Sequence, residues 1–157
     1  MRLNLGCGED VRPVGYINVD RFPQGQIPPE VYRQGDFTSL DWIAEDGTVE
    51  EIVALDCLEY LPTSQVKNTL ANWVDKLSSG GTLKILVPDC FAIARAFAQG
   101  QFNLEDYLKM TFGTQIENDS RLSAIDTITL CAILEGMGLT ITSKRFEGVA
   151  VYLEATK

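Results

Sequence analysis

The chain has 157 residues, 45% of them hydrophobic, and a formal net charge of −9. This length predicts one domain over residues 1–157, large enough to fold without disulfides or metal ions. The negative charge disfavours a nucleic-acid partner, because phosphate would be repelled at physiological salt.

The cysteine and histidine content argues against a metal site. The chain has no histidine, and its four cysteines are scattered without a CxxC pair, so we expect no bound metal and reduced, mostly buried thiols. Lys84, Asp89 and Arg95 interrupt the most apolar stretch, which leaves no segment able to span a membrane. Met1 leads almost directly into the first predicted strand, without room for a cleavable signal. These features predict a cytoplasmic protein.

Two short strands and a glycine turn begin the chain and predict a nucleoside site. The first strand breaks into Gly6-Cys7-Gly8, where the glycines permit positive φ and the close approach of a ligand. The second strand, over 16–20, ends in Asp20. A carboxylate at the carboxyl end of a strand can accept hydrogen bonds from both ribose hydroxyls. The alternative is a tight turn between two strands that holds no ligand.

The spacing of this motif favours S-adenosylmethionine (SAM) over a dinucleotide. A dinucleotide fingerprint has a third glycine at the start of a helix and an acid about 20 residues further on. Here Val11 occupies the third-glycine position, and Asp20 lies only twelve residues after Gly8. SAM has no phosphates, so it does not need the helix N-terminus that binds a pyrophosphate.

Further strands are predicted along the first half of the chain. Residues 21–29 contain three prolines and a glycine, which exclude regular structure. A short strand over 31–34 follows. The apolar runs over 51–56 and 82–87 are typical of buried parallel strands.

A helix is predicted between these last two strands. Thr63 or Ser64 can cap its start, and Gly80 and Gly81 end it. Its apolar positions are spaced by four, three and four residues, as in a helix with one buried face. They are Val66, Leu70, Trp73 and Leu77.

The second half of the chain predicts three more helices and two more strands. Short helices are expected over 91–99 and 104–110, separated by a glycine. The pattern Ser-x-x-Asp over 123–126 resembles a capping box for a helix that runs to about Leu134. Strands over 139–144 and 149–155 complete the chain as an antiparallel pair.

The order of these elements predicts an α/β fold. We expect a Rossmann-like, mostly parallel sheet with helices on both faces and a C-terminal antiparallel hairpin. The first crossover is shortened, because residues 6–15 have room for one helical turn at most. One sheet face is therefore expected to be under-covered near the cofactor. A homodimer contact or an ordered lid could shield it, and 91–122 is the predicted lid or substrate-binding insertion.

The motifs together resemble class I SAM-dependent methyltransferases. The closest resemblance is to a group of small predicted methyltransferases that begin Leu-Asn-Leu-Gly-Cys-Gly and continue into an Ile-Asn-Val-Asp strand, here residues 3–8 and 17–20. Residues 56–62 resemble the group's His-x-Leu-Glu-His-Leu-Pro motif, and 77–89 its Leu-x-x-Gly-Gly stretch with the following strand. Residues 112–115 resemble an aromatic-Gly-x-Gln signature. The resemblance covers 2–90 well and 110–145 loosely.

This resemblance implies SAM as the cofactor and a set of residues that bind it. Asp20 would accept from the ribose, while Asp36 with Phe37 resembles the pair that caps the adenine. Asn4 would contact the amino-acid end of SAM. A Gly-Asp turn for Asp36 and a strand cap for Asn4 are the alternatives. The full expected set is Asn4, Gly6, Cys7, Gly8, Asp20, Asp36, Phe37 and Asp56.

The chain departs from the group where catalysis is expected. Asp56 and Tyr60 replace the two histidines of the fourth-strand motif, and the group's acid before the glycine turn is Asn4. A base must therefore be a carboxylate or a tyrosine, and Glu59 and Asp56 are the first candidates. The resemblance implies methyl transfer to a small-molecule, glycan or protein acceptor. The alternative is a degenerate relative that binds SAM or a nucleoside without catalysis, or that serves as a partner subunit.

Overall fold

The computed structural model describes residues 1–22 and 32–157 and contains a mixed sheet with four α-helices in these ranges. The strands are β1 (Arg2–Leu5), β2 (Tyr16–Asp20), β3 (Tyr32–Gln34), β4 (Val49–Leu55), β5 (Leu77–Pro88), β6 (Thr140–Glu147) and β7 (Ala150–Thr156). The helices are α1 (Thr63–Lys76), α2 (Cys90–Ala98), α3 (Leu104–Phe112) and α4 (Thr127–Gly136), with a 3₁₀ turn over Leu58–Tyr60. The predicted irregular segment 21–29 and the first residue of the strand predicted over 31–34 lie largely outside the described residues.

The sheet has the order β3-β2-β1-β4-β5-β7-β6. Strands β1 to β5 pair in parallel, and β7 pairs antiparallel with both β5 and β6. The mostly parallel sheet with a C-terminal hairpin is therefore confirmed. Because β1 lies at the point where the strand order reverses, its carboxyl end opens into a crevice where α/β sheets bind ligands.

The hydrophobic core lies on one face of this sheet. Alternate residues of the strands point into it, as the period of two requires, and α1 and α4 cover them. Trp73 is the largest fully buried side chain, and its indole N–H donates to the Phe37 carbonyl oxygen over 2.7 Å. This bond attaches the segment after β3 to α1. Within the described ranges, no helix is long and apolar enough to cross a membrane.

The opposite face carries polar side chains and the shortened first crossover. Residues 6–15 form turns without a helix, as predicted. The Asn4 amide donates to the Asp10 carbonyl over 2.7 Å and to Asn18 Oδ1 over 2.9 Å, while the Arg12 N–H donates to the same oxygen over 2.8 Å. Buried asparagines on neighbouring strands thus hold the loop in the place where a crossover helix would lie.

Two predicted helix boundaries are wrong. Helix α1 ends at Lys76, and Leu77 is extended and pairs with Val49, so the apolar Leu77 belongs to the sheet and Gly80 lies inside β5. Helix α4 starts after Asp126, whose carboxylate accepts from the Thr129 N–H over 2.9 Å. The prediction placed the start of this helix at Ser123, three residues too early. Both the apolar periodicity and the capping pattern are compatible with either start.

Candidate functional site

A cavity of about 420 Å³ opens at the carboxyl ends of β1, β2 and β4. The glycine turn, the end of β2, the segment after β4 and the strip over 118–123 form its walls. The side chains or backbones that line it are Gly6, Gly8, Asp20, Arg21, Phe22, Phe37, Asp56, Cys57, Tyr60, Leu61, Asn118, Ser120 and Leu122. Most of the predicted cofactor-binding residues therefore meet in one place.

The glycine turn packs directly against the segment after β4. Gly6 has φ +61, and a Cβ there would lie 2.4 Å from the Cys57 Cβ, so both conformation and space exclude a side chain. Gly8 has φ +49 and open space around it. The turn therefore presents bare backbone to the cavity, which lets a ligand approach it closely.

Asp20 is held rigidly at the end of β2. Its side chain lies at the cavity wall in a residue that is only 9% exposed. Oδ2 accepts from the Gly8 N–H over 2.8 Å, and Oδ1 accepts from the Phe22 N–H over 2.9 Å. Each carboxylate oxygen has a second lone pair, so both oxygens can still accept a hydroxyl. This is the arrangement that a ribose needs.

Phe37 and Asp36 have different surroundings. The buried Phe37 ring lines the cavity, and the Arg21 guanidinium lies 5.2 Å from the ring centroid. Asp36 is not among the lining residues, and its Oδ1 accepts from Arg21 over 2.8 Å and from the Thr38 N–H over 2.8 Å. Burial would raise the pKa of Asp36, but these hydrogen bonds outweigh it and lower the pKa. Of the two residues predicted to contact the adenine, Phe37 lines the cavity, whereas Asp36 forms an ion pair with Arg21 at the surface.

Asn4 and Cys7 line a smaller cavity on the other side of the glycine turn. It measures about 310 Å³ and also includes Gly6 and Asp56. The Asn4 amide is occupied by its bonds to the crossover loop. Burial, followed by the charge of Asp20, raises the pKa of the Cys7 thiol to about 11, so the thiol is protonated at neutral pH.

Asp56 lies between these two cavities and has an unusual backbone. Its φ of +49 falls in the left-handed region, where a non-glycine residue stores about 1–3 kcal/mol of strain. Its N–H donates to the Leu86 carbonyl over 2.9 Å, which anchors the conformation. Burial raises the pKa of Asp56, and the charge of Arg121 partly opposes this. Asp56 is exposed to solvent, and a carboxylate in a strained conformation at a cavity wall has features of a catalytic group.

Tyr60 connects the first cavity to the loop after α3. Its hydroxyl donates to Asp119 Oδ1 over 2.9 Å, while Asp119 Oδ2 accepts from the Thr114 N–H over 2.9 Å. Gly113 has φ +72, and a Cβ there would lie 2.5 Å from the Asp119 carbonyl oxygen. The 118–123 strip lies at the end of the 91–122 lid or substrate-binding insertion predicted from sequence, but none of its residues was among the predicted site residues. The nearest motif is the aromatic-Gly-x-Gln signature at 112–115.

Glu59 faces a separate cavity of about 150 Å³ beneath this strip. The residue is 2% exposed, and no described residue hydrogen-bonds to either carboxylate oxygen. The nearest cation is Arg121, whose Nε lies 4.0 Å from Oε1. Burial raises the pKa of Glu59 to about 7. Glu59 was one of the two candidate bases predicted from sequence, but it lines this second cavity, whereas Asp56 lines the first.

Comparisons with known proteins identify the fold. No protein-family model and no curated protein sequence matches the chain. A SAM-dependent methyltransferase from Mesorhizobium loti matches with a TM-score of 0.72 at 14% identity, over 99% of this chain and 90% of that one. The 1,6-didemethyltoxoflavin-N1-methyltransferase of Burkholderia thailandensis, solved with 1,6-didemethyltoxoflavin and S-adenosylhomocysteine, matches with a TM-score of 0.67 at 12% identity, over 99% and 70%.

A third structure, an O-methyltransferase family protein from Burkholderia thailandensis, matches with a TM-score of 0.65 at 14% identity and covers 99% of this chain. This chain spans half the length of that protein. The chain therefore has the fold of class I SAM-dependent methyltransferases, as the sequence motifs predicted. The first cavity lies at the carboxyl ends of the strands, where this kind of sheet binds its ligands.

Proposed function

We propose that this chain is a SAM-dependent methyltransferase that binds SAM in the first cavity and transfers the methyl group to a small-molecule, glycan or protein acceptor. The observation that carries the proposal is the Asp20 carboxylate. Backbone N–H groups of Gly8 and Phe22 hold it in one orientation, at the wall of a cavity bounded by bare glycine backbone. A carboxylate held in this way has lone pairs directed at two neighbouring hydroxyls.

The surroundings of the turn support SAM over a dinucleotide. Residues 9–15 contain no helix, so no helix N-terminus faces the turn to bind a pyrophosphate. SAM carries a sulfonium cation, and the net charge of −9 attracts a cation. The Asp56 and Asp20 carboxylates at the wall of the first cavity add to the negative electrostatic potential there.

Each part of the first cavity has a role in this proposal. Phe37 and Phe22 provide apolar surface for the adenine, and Asp20 accepts from the ribose. SAM supplies a methyl carbon that its sulfonium activates. The main requirement for in-line displacement is therefore that the nucleophile and the methyl carbon are held in position. Asp56 and Tyr60 lie at the wall of the first cavity, where the reacting end of SAM would be held.

Asp56 is the proton acceptor that we favour for a hydroxyl or amine nucleophile. Its carboxylate lines the first cavity, and its raised pKa moves it closer to neutral pH, where a general base is most effective. Glu59 was the first candidate from sequence, and its raised pKa of about 7 suits a base. However, it lines the cavity behind the strip, so we assign it to binding of the acceptor.

Calorimetry against SAM, S-adenosylhomocysteine and NAD tests the proposal. Asp20→Ala is expected to weaken binding of the two SAM compounds by at least tenfold, because each bond to a charged group is worth about 1.5–3 kcal/mol. Asp75→Ala, an exposed aspartate on α1, is the matched control. Binding of NAD in place of SAM would overturn the proposal. Binding of SAM without transfer to any acceptor would support the non-catalytic alternative.

The expected homodimer and the cytoplasmic location stay predictions. The polar sheet face around the short crossover leaves Arg2 with 53% of its side chain exposed and Lys84 with 29%. A second copy that covers this face would give a dimer in light scattering. A monomer whose 91–122 segment is cleaved rapidly by protease would contradict both the dimer and the ordered lid.

A further inference from the structure

The 118–123 strip separates two cavities and presents alternate residues to each. Asn118, Ser120 and Leu122 line the first cavity, whereas Arg121 and Ser123 line the second. The Glu59 carbonyl accepts from the Leu122 N–H over 2.8 Å and from the Ser123 N–H over 3.1 Å, which pins the strip in place. The second cavity is therefore a built feature that shares a wall with the proposed cofactor site.

The second cavity contains a buried donor and a buried acceptor that the protein leaves unsatisfied. Glu59 Oε1 and Oε2 and Arg121 Nε have no hydrogen-bond partner among the described residues. The Nε–Oε1 distance of 4.0 Å is too long for a hydrogen bond between them. Each unsatisfied buried group costs about 1–3 kcal/mol, and more when it is charged. A bound water or a ligand supplies the missing bonds at such a site, and a ligand that binds there displaces the water.

The chemistry of the pair selects the ligand. A bridging group must accept from the Arg121 N–H and donate to the Glu59 carboxylate from neighbouring atoms. A carboxylate would oppose the Glu59 charge, and an ammonium would oppose that of Arg121. A primary carboxamide carries a carbonyl acceptor and an N–H donor side by side.

The rest of the cavity suits a short amide side chain. Its volume of about 150 Å³ equals that of about five water molecules. Pro88, Ile93, Met110 and Ala124 supply apolar walls. Helix α3 covers one side of the cavity and has no buried residue. A ligand that enters from this side therefore disrupts little of the hydrophobic core.

We propose that the second cavity binds a primary carboxamide between Glu59 and Arg121, and that this carboxamide belongs to the methyl acceptor. The carboxamide site is inferred from the cavity alone, whereas its assignment to the methyl acceptor rests on the proposed function. Glu59 and Arg121 then act as positioning residues. They hold the acceptor through its amide at the wall that the two cavities share, and Asp56 lines the first cavity on the other side of that wall.

Propionamide is the probe, because its size matches the cavity. Titration into ¹⁵N-labelled protein, followed by NMR, is expected to give saturable shifts at residues 107–111 and 121–124. Butanone replaces the amide NH₂ by a methyl group and is expected to bind at least tenfold more weakly. Glu59→Leu and Arg121→Leu are each expected to reduce propionamide affinity at least tenfold, whereas exposed Glu135→Leu on α4 leaves it unchanged.

Asp20→Ala separates the two proposals. It removes the cofactor contact in the first cavity and is expected to leave propionamide binding unchanged. If Glu59→Leu does not fold, Glu59→Gln keeps the volume, removes the charge and is expected to lower affinity at least threefold. Equal binding of propionamide and butanone, no saturable binding, or shifts elsewhere in the protein would overturn the carboxamide site. If the wild-type protein binds propionamide but not SAM, only the link of the amide site to methyl transfer would be overturned.

Discussion

Replacing Glu59 by glutamine is expected to stabilise the protein at neutral pH. Burial raises the pKa of this carboxyl from 4.5 to about 7. Between these values the folded protein keeps the proton while the unfolded chain loses it, so stability falls as the pH rises. Each pKa unit is worth about 1.36 kcal/mol, which gives a total penalty of about 3 kcal/mol above pH 7.

Urea unfolding of wild type and Glu59→Gln at pH 5, 6, 7 and 8 measures this penalty. Glutamine does not ionise, so the variant's stability relative to wild type is expected to rise by about 2.5 kcal/mol from pH 5 to pH 8. Effects of the other titrating groups largely cancel in this difference. Glu135→Gln, an exposed glutamate on α4, supplies the baseline for the substitution itself. A difference for Glu59→Gln that varies with pH no more than this baseline would refute the reasoning.

Three further substitutions probe the glycine turn and the helix caps. Gly6→Ala is expected to destabilise the protein by more than about 2 kcal/mol, since its Cβ would lie 2.4 Å from that of Cys57. Gly8→Ala, with open space, should cost only about 1–2 kcal/mol. Thermal unfolding that ranks them in reverse would contradict this account. Asp89 is buried and accepts from the Ala92 N–H over 2.6 Å and the Thr127 N–H over 2.8 Å. Asp89→Ala is therefore expected to lose about 3–5 kcal/mol in urea unfolding, and a loss below about 1 kcal/mol would refute its capping of both helices.

The local motif near the N-terminus was predictable because its parts are close in sequence. Parallel pairing of β1 with β2 brings the Gly8 N–H within 2.8 Å of Asp20 Oδ2. The short crossover was predictable for the same reason, since the length of 6–15 by itself excludes a full helix.

The boundary between α1 and β5 could not be predicted from the spacing of apolar residues. Leu77 continues the apolar stripe of the helix and is also the first buried residue of the strand. Both interpretations bury its side chain. Pairing with Val49, which lies far away in sequence, decides between them.

The sequence by itself determined the fold class and indicated the residues of the proposed cofactor site, because glycine conformations and strand ends are local properties. Only the tertiary structure decided which acid faces which cavity. Residues 58–60 form a 3₁₀ turn, in which successive side chains diverge by about 120°. Leu58 enters the core, Glu59 enters the second cavity, and Tyr60 enters the first. That assignment depends on how the turn packs against the 118–123 strip. The strip is far away in sequence, so no local sequence pattern predicts this contact.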